Sequence, residues 1–183
     1  MIKKLLDVYK IYFLISLVVF ILVFLANYEK VNVLFFIPAF IGTLLIPFIY
    51  ELDYIFQAYI IEPESTFSKN IKILMAQKNY RGVFIYAHEN EGVILNSVLR
   101  SVITVVGIFA IAFLSIFTFS NVISQAILLA FLLTSVYLQT LSFVNGSYRS
   151  WYSFIDFIPK VKAAKIFLVI QYIVLIFFLL SIF

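Results

Sequence analysis

The only histidine of the chain, His88, lies close to two carboxylates, Glu89 and Glu91. Histidine beside carboxylate is a common arrangement for binding a metal ion or moving a proton. On a helix, His88 shares a face with Glu91, while Glu89 points about 100° away. A zinc-hydrolase helix needs a second histidine where this chain has Gly92, and a di-iron helix needs glutamate where it has Ile85. We therefore predict no catalytic residue, no metal site and no cofactor here.

Three interpretations of this segment remain open: a solvated end of a helix, a pH-sensing or partner-contacting corner, and a metal or catalytic site. The first is the simplest for a polar stretch that ends in glycine. We treat the segment as a docking corner at such a helix end. The residues expected to contact a partner are Tyr80, Arg81, His88, Glu89 and Glu91.

The composition indicates the solvent in which the chain folds. Of 183 residues, 64% are hydrophobic and only 12% are charged, against about 25% charged in an ordinary soluble domain. A soluble fold of this length has too little interior to hide so much apolar surface. The absence of cysteine excludes disulfides and cysteine-ligated metals. The sequence therefore predicts an all-α integral membrane protein that forms a single membrane domain over residues 1–183.

Five apolar runs are long enough to cross a bilayer. The predicted spans are residues 11–28, 31–50, 101–119, 122–144 and 166–183. Only Glu29 and Lys30 separate the first two, which predicts a tight hairpin. Pro38, Gly42 and Pro47 could kink the second span or break it into half-helices. None of the five runs contains an ionisable residue, which argues against a proton relay or an ion-coupled transporter within one chain.

The basic residues orient the spans, because cytoplasmic loops carry an excess of lysine and arginine. With five spans, Lys30 is the only one of the thirteen basic residues on its side. The other side receives Lys3, Lys4, Lys10, Lys69, Lys72, Lys78, Arg81, Arg100, Arg149, Lys160, Lys162 and Lys165. We therefore predict a multi-pass protein of the plasma (inner) membrane, with the N-terminus in the cytoplasm and the C-terminus outside. The net charge of +4 follows this topology and indicates no nucleic-acid partner.

The loop between spans 2 and 3, residues 51–100, is predicted to form a small helical cap on the cytoplasmic face. Span 2 should continue as an amphipathic helix as far as Pro63, with Glu51 and Asp53 reaching water at its end. A second helix should bury an apolar face and turn its lysines outwards, and a third should end near Asn90. A fourth, from Val93, should lead directly into span 3.

Residues 78–103, with a polar turn inside an antiparallel helical pair, resemble the cytoplasmic region of the proton-channel motor family that includes the flagellar stators. The order of hairpin, cytoplasmic segment and hairpin is also similar. The resemblance implies a subunit of a motor complex. The glycine- and threonine-rich span of that family is missing, because bulky residues follow Val105-Val-Gly107. The resemblance covers this segment alone.

The loop after span 4 is rich in aromatic residues that suit the headgroup interface. Trp151 is expected to lie half buried there, and the basic residues beside it favour anionic lipid. Two interpretations remain open: a structural interfacial helix, or a lipid headgroup site that uses Arg149 and Trp151. Polar side chains in spans 3 to 5, among them Gln139 and Gln171, indicate either helix packing or a polar substrate cavity.

These observations lead to three hypotheses about function. The first is a non-enzymatic subunit or accessory factor of a larger plasma-membrane complex of transport, secretion or motor type, with other membrane subunits as partners docked on residues 51–100. The second is a permeation component for small molecules or ions that uses the polar faces of spans 3 and 4. The third is an interfacial lipid-modifying enzyme.

Overall fold

A computed structural model describes residues 2–90, 98–119, 121–152, 154–155 and 158–183, without the side chains of residues 2–8 and 88. Its long helical stretches match the predicted spans in number, although the second ends later than predicted, at Ile61, and the fifth begins earlier, at Val161. The α-helices are α1 (Ile2–Asn27), α2 (Phe36–Phe56), α3 (Thr66–Ala76), α4 (Tyr80–Glu89), α5 (Val102–Leu114), α6 (Val122–Val144) and α7 (Val161–Ser181). The stretches long and apolar enough to cross a membrane are Tyr9–Asn27, Val33–Ile61, Val102–Phe119, Val122–Val144 and Val161–Ser181.

The ends of the spans follow from local capping chemistry. The Asn121 side chain accepts hydrogen bonds from the first backbone N–H groups of α6, and Ser101 does the same for α5. Beyond the end of α6, Gly146 adopts a φ of 74°, which favours glycine over residues with a side chain. The fourth span therefore begins and ends where it was predicted, at residues 122–144.

Helix α6 forms the centre of the bundle and packs against α1, α2, α5 and α7. Half of the most apolar stretch of α6 is buried inside the bundle, a larger share than for any other candidate span in the described part of the chain. Helix α2 approaches it closely at Gly42, where an added Cβ would lie 2.5 Å from the Ile127 Cδ1 atom. Small residues allow such close approach in a membrane bundle, where lipid removes the hydrophobic drive for helices to associate.

Helix α2 is continuous through Pro47, so the span does not break into half-helices. It extends through a π-helical segment, Gln57–Ile61, which confirms the predicted extension towards Pro63. An amphipathic helix was expected to bury its apolar side, but this one buries its polar side. Leu52 and Ile60 are 44% and 68% exposed, whereas Asp53 and Gln57 are each 2% exposed. The prediction that acidic residues reach water at this end was wrong, because here the polar side chains turn towards protein neighbours and the apolar ones turn outwards.

Helices α3 and α4 confirm the second and third helices predicted between spans 2 and 3. They pack against the end of α2 through a small core of their own, formed by Tyr54, Ala58, Phe67, Ile71, Val83 and Ala87. The start of the predicted fourth helix lies outside the described residues. Its end is described and is not helical: residues 98–100 form a turn, and α5 begins at its own cap, Ser101. The predicted continuous run into span 3 was therefore wrong.

Candidate functional site

A buried ion pair joins α2 to the turn before α5. The Nε atom of Arg100 lies 3.9 Å from the Oδ2 atom of Asp53, with side chains only 12% and 1% exposed. The other carboxylate oxygen, Oδ1, accepts a hydrogen bond of 2.8 Å from the Leu99 backbone N–H. Arg100 also donates from Nη2 to the Tyr54 hydroxyl at 2.8 Å. The pairing of the two charges and these hydrogen bonds offset part of the cost of burying them.

The charge of Arg100 is held by its neighbours. Burial by itself lowers the pKa of the guanidinium group, but the nearby Tyr54, Asp53 and Glu51 outweigh it and raise the pKa above its ordinary value. The guanidinium group also lies over the Tyr54 ring, 5.1 Å from its centroid. Arg100 is therefore a permanent cation against which the two carboxylates are placed.

A second carboxylate, Glu51, lies beside this pair. It is 6% exposed and lies next to the Tyr9 side chain on α1. Its Oε2 atom is buried and has no hydrogen-bond partner among the described residues. A buried carboxylate oxygen without a partner costs free energy. Glu51 is thus a group in this cluster that is open to a proton, a cation or a donor from elsewhere.

The cluster lies within the bundle rather than beyond its end. Tyr50, which precedes Glu51, donates to the Phe131 carbonyl and bonds to the Ser135 hydroxyl on α6. Ser135 precedes the end of α6 at Val144 by about 13 Å of helix. The stretch Val33–Ile61, which is long and apolar enough to cross a membrane, therefore includes Glu51 and Asp53, whereas the predicted span 31–50 excluded them.

A sequence signal for this cluster existed. Asp53 and Gln57 are one helical turn apart, as are Tyr50 and Tyr54, so the end of span 2 carries a polar stripe on one side. In a bilayer such a stripe turns inwards, whereas the same stripe on a soluble helix faces water. Because this segment was predicted to lie outside the membrane, its polar stripe was expected to face water rather than protein.

Two residues predicted to contact a substrate or lipid come together in a half-open pocket of about 260 Å³ between α6 and α7. Gln139 reaches it from α6, and Trp151 from the 3-10 helix Tyr148–Tyr152. The other lining residues are Phe143, Tyr148, Tyr152, Ala164, Phe167 and Leu168. Trp151 is only 4% exposed and belongs to the main core, so the prediction of a half-buried interfacial ring was wrong.

The other two predicted contact residues are placed differently. Arg149 is exposed on the same 3-10 helix as Trp151. Gln171 is buried on α7 at 3% exposure, one helical turn after Phe167, and does not itself line the pocket. Neither polar atom of its side chain has a hydrogen-bond partner in the described part of the chain. Of the two glutamines, only Gln139 therefore lines the pocket.

The predicted docking residues separate into two groups at opposite ends of α4. Tyr80 and Arg81 are exposed in its first turn, and Glu89 is exposed at its last residue. The backbone of His88 lies in the last turn of α4, and Glu91 lies outside the described residues. Only Tyr80 and Arg81 therefore form a compact surface, next to the exposed residues 76–79 that end α3 and join it to α4.

Within the described ranges, no three or more histidine, cysteine, aspartate or glutamate side chains come close enough to hold a metal ion. Comparison of the chain with protein-family models, with curated proteins and with solved structures gives no match.

Proposed function

We propose that this protein is a non-enzymatic subunit or accessory factor of a larger plasma-membrane complex of transport, secretion or motor type. In this proposal the N-terminus and the cap, residues 51–100, face the cytoplasm, and the cap docks a partner protein. The observation that carries the proposal is a rigidly held α3–α4 pair with an exposed tip, residues 76–81.

The rigidity of the pair comes from two sets of contacts. The small core around Ile71 and Val83 packs α3 and α4 together and against the end of α2. The Asp53–Arg100 pair then fixes that end of α2 to the turn before α5. A surface that is already ordered loses little conformational entropy when it binds a partner.

The tip has the composition of a binding surface. Tyr80 is 55% exposed, and Lys78 and Arg81 are exposed on either side of it. Tyrosine and arginine are enriched where protein interfaces concentrate their binding energy. The two cations would favour an acidic patch on the partner and would speed its encounter.

A photocrosslinking amino acid at Tyr80 tests this proposal in native membranes. We expect a crosslink to one membrane or cytoplasmic protein that co-purifies in fixed stoichiometry in mild detergent. The crosslink should be lost in Arg81→Glu and kept in Lys69→Glu, since Lys69 is an exposed cation on α3 that pairs with Glu64. A monodisperse monomer without a stoichiometric partner would contradict the proposal.

A second candidate, a permeation component for small cations or protons, is favoured by the open carboxylate oxygen of Glu51. Some polar groups of spans 3 and 4 support this candidate less, because they are already hydrogen-bonded within the chain. Ser115 and Ser124 share a hydrogen bond of 2.6 Å, and Thr104 donates to the Val98 carbonyl. The route would therefore pass Glu51, where α1, α2 and α6 meet.

Flux into liposomes that contain only this chain tests the second candidate. Glu51→Gln should abolish a cation or proton flux, because it removes the charge and keeps the shape. Glu29→Gln, in the exposed turn after α1, is the matched control and should leave the flux unchanged. Equal leakage from liposomes with and without the protein would exclude this candidate.

A further inference from the structure

The pocket between α6, the 3-10 helix and α7 has the features of a site for part of an amphiphile. Its walls are largely apolar, with Phe143 from α6, Tyr152 from the 3-10 helix, and Phe167 and Leu168 from α7. The pocket is half open, and its empty space of about 260 Å³ includes space that is open to solvent, so it encloses only part of any molecule that enters it. It is therefore sized for one segment of a long molecule rather than for a whole one.

One polar group in this pocket lacks a partner. Gln139 is 6% exposed, and its Nε2 amide group makes no hydrogen bond within the described residues. An amide buried without a partner costs free energy, which a ligand with an acceptor oxygen would recover. Because Nε2 only donates, the complementary ligand group is a carbonyl or another oxygen acceptor.

The charged residues that the structure describes beside the pocket are all basic. Arg149 is exposed on the 3-10 helix, and Lys160, Lys162 and Lys165 are exposed at the start of α7, next to the lining residue Ala164. From residue 101 to the last residue of the chain, the only acidic residue is Asp156. This surface complements a phosphate group held near the pocket.

We infer that the pocket binds an anionic glycerophospholipid of the surrounding bilayer by its glycerol-ester region. An ester carbonyl accepts the hydrogen bond from Gln139 Nε2, one acyl chain runs along Phe167 and Leu168, and the phosphate meets the basic residues. A phospholipid supplies all three groups: an ester carbonyl for the amide, an acyl tail for the apolar wall and a phosphate for the cationic rim. This site is separate from the docking tip and does not depend on it.

Native mass spectrometry of the detergent-purified protein tests the inference. Dioleoyl-phosphatidylglycerol and dioleoyl-phosphatidylcholine are added as competing probes, and retained lipid is counted per protein. We expect one phosphatidylglycerol to be retained in preference to phosphatidylcholine. Gln139→Leu should weaken retention about fivefold, the effect of losing one hydrogen bond. Replacing Lys160 and Lys162 by Gln should remove the preference between the two lipids.

Two further variants separate the site from general effects on folding. Gln171→Leu removes a buried amide from α7 outside the pocket and should retain lipid as the natural chain does. Leu168→Trp fills the pocket and should block retention while the protein stays monodisperse. Undiminished retention in both Gln139→Leu and Leu168→Trp would overturn the inference, as would equal retention of the two lipids by the natural chain.

Discussion

Asp53 and Leu99, 46 positions apart in the chain, are joined by a hydrogen bond of 2.8 Å from the Leu99 backbone N–H to the Asp53 Oδ1 atom. With the ion pair between Asp53 and Arg100, this contact ties the end of α2 to the turn before α5. The ends of the segment that contains α3 and α4 are thereby brought together. The position of the α3–α4 pair on the bundle depends on this link.

Asp53→Ala should therefore destabilise the protein strongly. Removing one partner of a buried ion pair leaves the other charge uncompensated and costs about 3–5 kcal/mol. Equilibrium unfolding in mixed micelles measures the loss. Glu64→Ala is the control, because Glu64 pairs with Lys69 on the surface, where the side chains are 86% and 60% exposed, and such pairs contribute little. An equal effect of the two substitutions would refute the role assigned to Asp53.

Tyr50→Phe should loosen the contact between α2 and α6. The Tyr50 hydroxyl bonds to the Ser135 hydroxyl and the Phe131 carbonyl, and hydrogen bonds between membrane helices contribute about 0.6–1.7 kcal/mol. A double-mutant cycle with Ser135→Ala measures the coupling, which should be positive and of that size. Tyr28→Phe removes a hydroxyl bonded to Glu29 on the surface and should change stability little. Strict additivity of Tyr50→Phe and Ser135→Ala would contradict the expected bond.

Alanine at the two mid-span glycines should have opposite outcomes. At Gly42, the new Cβ would lie 2.5 Å from the Ile127 Cδ1 atom, and such overpacking costs about 1–3 kcal/mol. At Gly107, no heavy atom lies within 4 Å of the new Cβ among the described residues, so Gly107→Ala should be neutral or slightly stabilising. Thermal unfolding in detergent compares the two. Ile127→Ala should relieve part of the Gly42→Ala effect, and failure of this rescue would place the strain elsewhere.

The proposed orientation is testable because the natural chain contains no cysteine. A single cysteine at Lys30, in the exposed turn after α1, should react with a membrane-impermeant maleimide on intact cells. A cysteine at Lys69, exposed on α3, should react only after the membrane is opened. The expectation rests on the basic residues, nearly all of which lie on the side of Lys69. Labelling of Lys69→Cys from outside intact cells would reverse the proposed topology.

Local features of the sequence were sufficient to predict the spans. Residues 122–144 contain no charged residue, are strongly apolar on average and lie between Asn121 and the Asn145-Gly146 pair, so both limits of α6 follow from hydropathy and capping alone. The helices α3 and α4 follow in the same way from the spacing of their apolar residues. Each of these predictions depends on neighbours along the chain, which the sequence displays directly.

The buried sites depended on contacts between distant parts of the chain. The composition of the end of α2 shows that one side is polar, but not whether water or protein covers that side. Packing against α1 and the turn at Arg100 buries Glu51 and Asp53, and the 3-10 helix after α6 brings Trp151 to Gln139. The sequence by itself therefore determined a five-span helical protein, because hydropathy is a local property. Only the tertiary structure decided which polar groups lie inside, because the burial of a side chain depends on what packs against it.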